Sequence, residues 1–154
     1  MLFKTLKGNE VNVFLSDYKI NWRKPSASKF QTRVKNFFWK HFNYLEWYEE
    51  VPLRGEGMTQ LRFDFLCVFE DGFGKKQKIF VEAHGNQHVR MNNHFHGTME
   101  KFEDQMMRDI LKEDFAKINS KFPLIEIYPE DEPLSIKWLE ETYPGVFPRQ
   151  RKSR

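Results

Sequence analysis

Two acidic residues stand where acids are scarce. Asp64 lies within Leu61-Arg62-Phe63-Asp64-Phe65-Leu66-Cys67-Val68-Phe69, and Glu82 lies near the end of Lys78-Ile79-Phe80-Val81-Glu82-Ala83. Both runs read as strands, and strand interiors are poor in carboxylates because a buried one needs a partner. By two-residue alternation, Asp64 is expected on the face of Arg62 and Leu66, opposite Phe63 and Phe65. An edge-strand Asp facing solvent, or one paired with Arg62, is the plain alternative. Asp71-Gly72 and Gly74 between the runs predict a hairpin. In that hairpin Asp64 and Glu82 sit on neighbouring strands. Two carboxylates converging at strand ends suit a hard divalent cation such as Mg²⁺, with Mn²⁺ as an alternative. Such an ion activates water and stabilises phosphoryl transfer.

Histidines cluster next to this pair. Four of the five, His84, His88, His94 and His96, fall between positions 84 and 96. His84 is two residues past Glu82, on the same strand face. His88 follows Gly85, which permits a tight turn that can bring it back to the carboxylates. An imidazole with a pKa near ~6.5 suits a general base. A four-histidine zinc site is the competing reading, although structural zinc usually recruits cysteine.

The elements that must position these residues follow from periodicity. Val11–Leu15 reads as a short strand. After Pro25, Ser26 and Ser28 offer N-caps, and Phe30, Val34, Phe37, Phe38 and His41 form one helical face ending near Asn43. Trp47–Val51 reads as a strand stopped by Pro52. Thr98 can cap a second helix, with Phe102, Met106, Ile110 and Phe115 as its apolar face. Leu124–Tyr128 is a buried-type strand, and a short helix is expected near Ser135–Thr142. Helix, three strands, helix and strand predict an α/β (α+β) domain with a mixed central sheet flanked by helices. The expected organisation is an N-terminal arm over 1–25, a core over 26–128, and a C-terminal helix with a basic tail over 129–154.

The chain has 154 residues, a length for one domain, and 40% hydrophobic residues, enough to bury a core. It has no apolar run near ~20 residues, so no membrane partner is expected. No signal-peptide core is seen at the N-terminus. The single cysteine, Cys67, excludes an internal disulfide framework and suits a cytoplasmic setting. The net charge of +3 names no partner, but its distribution is uneven. Lys19, Arg23, Lys24, Lys29, Arg33, Lys35 and Lys40 occur without an intervening acid. Such a one-sided region suits phosphate contacts, with Lys24, Lys29 and Arg33 as DNA-binding candidates. A solubilising face is the alternative.

The string Phe63-Asp64-Phe65, followed by Glu82-Ala83-His84-Gly85-Asn86-Gln87-His88, resembles the core of the PD-(D/E)XK nuclease superfamily. More narrowly, it resembles the branch of very-short-patch repair endonucleases, their compact relatives and small phage freestanding homing endonucleases. Arg108-Asp109 resembles that branch's Arg-Asp pair. The resemblance covers about residues 10–128. It implies a restriction-endonuclease-like core and a Mg²⁺-dependent, site-selective DNA endonuclease acting on double-stranded DNA. A homodimer and a bacterial or phage-infected cell fit that picture. Asp64 and Glu82 would hold the metal with the Ala83 carbonyl, and His84 would take the slot of the superfamily lysine. His88 would be a general base or phosphate contact, and Gln87 would orient water or phosphate. Arg108 and Asp109 would hold the site by pairing or hydrogen bonding. Two positions depart from the pattern: the motif lysine is absent, and Gln31 stands where relatives carry a first-helix glutamate. Glu49 and Glu50 are candidate substitutes. A non-cutting DNA-binding module on the same fold is the alternative function.

Overall fold

Ser28 starts the first helix as the spacing predicts. Its side chain accepts from the Gln31 backbone N–H at 3.0 Å, satisfying one of the donors a helix start leaves open. Helix α1 runs Lys29–Phe42 and buries Phe30, Val34, Phe37, Phe38 and Phe42. The computed structural model describes residues 1–53, 61–85 and 99–150.

Within these residues the strands are β1 (Leu2–Lys4), β2 (Glu10–Asn12), β3 (Glu46–Pro52), β4 (Arg62–Glu70), β5 (Lys76–Ala83) and β6 (Ile125–Ile127). Helices α2 (Met99–Asn119) and α3 (Ile136–Thr142) join α1. β1 and β2 form a small hairpin. The main sheet has the order β3-β4-β5-β6. Its first three strands are antiparallel neighbours, and β6 runs parallel to β5. A parallel neighbour requires a long crossover, and α2 lies within it. The fold is therefore α+β, with a mixed sheet and helices, as expected.

The sheet is covered on both faces. On one, α1 packs with Leu139, Val146 and Phe147 against Trp47, Phe65, Cys67, Ile79, Val81, Ile125 and Ile127. Phe38 stacks on Trp47 at 4.3 Å between centroids. Burying such a ring contributes roughly 1.5–3 kcal/mol. On the other face, Phe63, Leu66, Val68 and Phe80 meet Phe3, Val13, Leu15, Phe115 and Ala116. Residues 1–25, expected as an arm, are thus packed on the core: Phe3, Val13 and Leu15 are buried. The expected Val11–Leu15 strand is shorter, and Leu15 instead opens a 3₁₀ turn, Leu15–Tyr18.

Two expectations about faces are corrected. Phe63 joins the cluster of Leu66 and Val68, whereas Phe65 joins that of Cys67. The alternation therefore breaks at Asp64, which does not simply share the Leu66 face. Opposite it in register, Glu50 has φ of 55°, a left-handed conformation that a non-glycine residue adopts at a cost of about 1–3 kcal/mol. Val51 and Trp47 change clusters in the same way, so both strands switch faces at this rung. The second correction concerns α2. Met106 and Ile110 are 48% and 47% exposed, and the helix packs through Phe115 and Ala116, with Leu111 partly buried. A 21-residue helix spans about 31 Å, and only its later turns reach the apolar core.

Among the described residues no helix is long and apolar enough to cross a membrane.

Candidate functional site

The antiparallel ladder between β4 and β5 ends at the rung Phe65↔Val81. One residue further, Asp64 and Glu82 would form the next rung. Their carboxylates take over the backbone bonding there. The Ala83 N–H donates to Asp64 Oδ2 at 2.8 Å, and the Asp64 N–H donates to Glu82 Oε2 at 3.3 Å. Each strand thus caps the other with a side chain, and two acids are brought together at the end of the pairing. Both line a cleft of about 330 Å³. The N-terminal turn of α1 closes one side of this cleft through Ala27, Ser28 and Gln31, and α2 closes another through Asp109 and Lys112.

Glu82 is only 2% exposed. Burial, then the neighbouring charge of Asp64, raises its pKa well above the ordinary 4.5; the opposing effect of Lys112 is smaller. The Lys112 ammonium lies 2.5 Å from Glu82 Oε1. Even so, that oxygen makes no well-directed hydrogen bond among the described residues. The two observations agree if the ammonium sits off the axis of a good hydrogen bond and acts as a point charge. Lys112 is the site residue that sequence reading missed. The only signal was its spacing, one turn after Asp109, which places both on one side of α2.

Beside the acids, Gln31 is buried and its amide donates to Glu50 Oε1 at 3.1 Å and to Glu49 Oε1 at 3.4 Å. Its own Oε1 is the group left to coordinate or accept. Glu49 is held by Lys35 at 2.8 Å and by the Ser26 hydroxyl. Of the two candidate substitutes, Glu49 is therefore committed to a buried ion pair, and Glu50 is the one coupled to Asp64. Burial, first, and the charges of Asp64 and Glu49 raise the Glu50 pKa, while the Gln31 hydrogen bond lowers it.

His84 lines the cleft, but its Nε2 lies 3.1 Å from Glu126 Oε1 on β6 and its ring stacks on Tyr128. Burial first, and then nearby acids led by Glu126, push the Tyr128 pKa up to about 12. Asp109 lines the cleft and accepts from the Gln105 amide at 3.0 Å. Arg108, about 100° round the helix from it, is exposed and does not line the cleft. Gln87 and His88 lie outside the described residues, as do His94 and His96 of the zinc reading.

Among the described residues no three His, Cys, Asp or Glu side chains converge as a metal-binding group. The fit to a single hard cation rests on other grounds: two facing carboxylates, one with a buried oxygen that lacks a directed donor. Asp64 and Glu82 would be its ligands, with the Ala83 carbonyl adjacent.

The basic N-terminal region is less free than its sequence suggests. Lys24 and Lys29 are exposed. Arg33 instead makes a bidentate pair with Glu132, at 2.8 and 2.9 Å. That bond raises the Arg33 pKa and lowers that of Glu132. The guanidinium's charge is thereby met within the chain, which weakens its candidacy as a phosphate contact.

The buried acid has a measurable consequence. A carboxyl with a raised folded pKa holds its proton in the folded state over pH values where the unfolded chain has released it. Stability is then greatest below about 4.5 and falls as pH rises toward the folded value. Glu82→Gln removes this loss, and Lys112, 17% exposed, can turn to solvent, so metal-free protein is expected to gain about 0.5–2 kcal/mol at neutral pH. Thermal melts from pH 4 to pH 8 check it: the gain must shrink toward acid, and a pH-independent difference would refute it.

No protein-family model, curated protein or solved structure matches this chain, so any functional assignment rests on its residues and their geometry.

Proposed function

We propose that the chain is a metal-dependent DNA endonuclease that hydrolyses phosphodiester bonds on a restriction-endonuclease-like core. The observation that carries this reading is the Asp64–Glu82 pair at the splayed end of β4 and β5, with a buried oxygen that has no directed donor. When bound, a Mg²⁺ or Mn²⁺ ion supplies charge stabilisation and a more acidic water. The remaining work falls to the chain. Asp64 holds the charge that recruits the cation, and Glu82 is the second oxygen ligand beside it. Lys112 supplies an ammonium at the cleft, in place of the motif lysine that His84 replaces, and can neutralise a phosphate oxygen. The N-terminal turn of α1 lines the cleft, and a helix N-terminus favours an anion there. His84, fixed by Glu126 and Tyr128, acts as a positioned polar wall.

A non-cutting DNA-binding module is the second reading. The ion contact of Lys112 with Glu82 favours it, because an ammonium already compensates that carboxylate. Incubation of supercoiled plasmid and a labelled duplex, with Mg²⁺ or with chelator, separates the two. Nicked or linear product only with the metal supports the endonuclease. Binding of the duplex without any product supports the module.

A further inference from the structure

A second cleft, of about 710 Å³, adjoins the first; Ala27 lines both. Its volume lies within the range of ligand-binding clefts, and it is more open to solvent than the first. At its lining is Lys35, 1% exposed, whose ammonium donates to Glu49 Oε2 at 2.8 Å and to the Lys24 carbonyl at 2.6 Å. An ammonium has three protons, and among the described residues the third has no acceptor. Two of the acids at this cleft, Glu49 and Glu50, are bonded inward to Lys35 and Gln31. Against Asp17, the charges left at the surface are Lys19, Lys24 and Arg62, all exposed and none in a salt bridge among the described residues. Arg62 is held by its own bond to the Glu50 carbonyl at 3.2 Å, so its guanidinium is pre-positioned.

We propose that this second cleft seats the phosphodiester backbone of the DNA strand that enters the first cleft, gripped by Lys19, Lys24 and Arg62. Arg62 precedes Asp64 by two residues, about 6.6 Å along β4. Successive phosphates of one strand advance about 3.4 Å along the helix axis and lie farther apart than that in space, so the gripped phosphate lies one or two nucleotides from the one at Asp64. The proposal rests on the nuclease reading of the first cleft. It replaces Arg33 with Arg62 as the arginine that contacts DNA.

The test is duplex binding in chelator, followed over a salt series, for the wild type and for Lys19→Gln/Lys24→Gln/Arg62→Gln. Three lost phosphate contacts should flatten the log–log salt slope by roughly 2–3. Lys137→Gln, an exposed change on α3, is the control and should leave the slope unchanged. A second measurement uses single methylphosphonate substitutions around a mapped cut position. Neutralising the phosphate one or two nucleotides away should weaken wild-type binding several-fold and leave Arg62→Gln insensitive. Duplex binding with an unchanged slope in the triple variant overturns the second cleft alone. Failure of the wild type to bind duplex overturns both this proposal and the nuclease reading.

Discussion

Asp64→Asn is expected to reduce metal-dependent DNA cleavage by at least ~100-fold, about 2.7 kcal/mol of lost transition-state stabilisation, without lowering the melting temperature. The substitution keeps an oxygen that can accept from the Ala83 N–H, now at 2.8 Å, so the end of the β4–β5 pairing is retained. What it removes is charge. Asp64 is the second-largest cause of the raised Glu82 pKa, after burial, so the neutral variant also eases the repulsion that the folded state carries. Loss of activity with equal or higher stability is the signature of a residue kept for function. Cleavage assays paired with thermal melts read both quantities, and full activity in Asp64→Asn would remove the acid pair from the mechanism.

Lys35→Met is expected to act in the opposite way, through stability. Lys35 is almost wholly inaccessible, and its ammonium compensates Glu49 in a buried pair. Removing one partner leaves an uncompensated buried carboxylate, a change that costs about 3–5 kcal/mol. For a chain of this size the melting temperature should fall by roughly 6–20 °C, at about 2–4 °C per kcal/mol. Adding Glu49→Gln should recover most of that loss, because the amide keeps bonding groups for Ser26 and Gln31 without the charge. If the single variant melts within a degree or two of the wild type, the pair does not hold this part of the fold.

Lys35 also shows where the sequence can be read and where it cannot. Counted along the chain, it was one of seven cations on a basic region. In three dimensions it is buried, and Arg33 is matched to Glu132, 99 positions away. No local pattern reports a partner at that distance. The elements were more legible because their signals are local. Ser28 caps α1, the apolar spacing sets its buried face, and turn residues mark the β4–β5 hairpin. Asp64 and Glu82 stood out because a carboxylate within an apolar strand contradicts its surroundings, and such contradictions mark functional sites.

Lys112 and Glu50 gave no comparable signal. A lysine on a charged helix is ordinary, and the apolar spacing through Met106 and Ile110 suggested a different buried side for α2. Phe115 and Ala116 decide that helix's packing, and Lys112, one turn before them, is carried to the cleft. The left-handed backbone at Glu50 lies opposite Asp64 in the register of β3 and β4, a placement that only the assembled sheet supplies.

We propose that Asp64 and Glu82 form one divalent-cation site. Calorimetric titration of Mn²⁺ into metal-free wild type, Asp64→Asn and Glu82→Gln measures this directly. Saturable uptake of an ion is expected in the wild type, lost or weakened at least ~10-fold in each variant. Wild-type uptake that persists unchanged in both variants would contradict it.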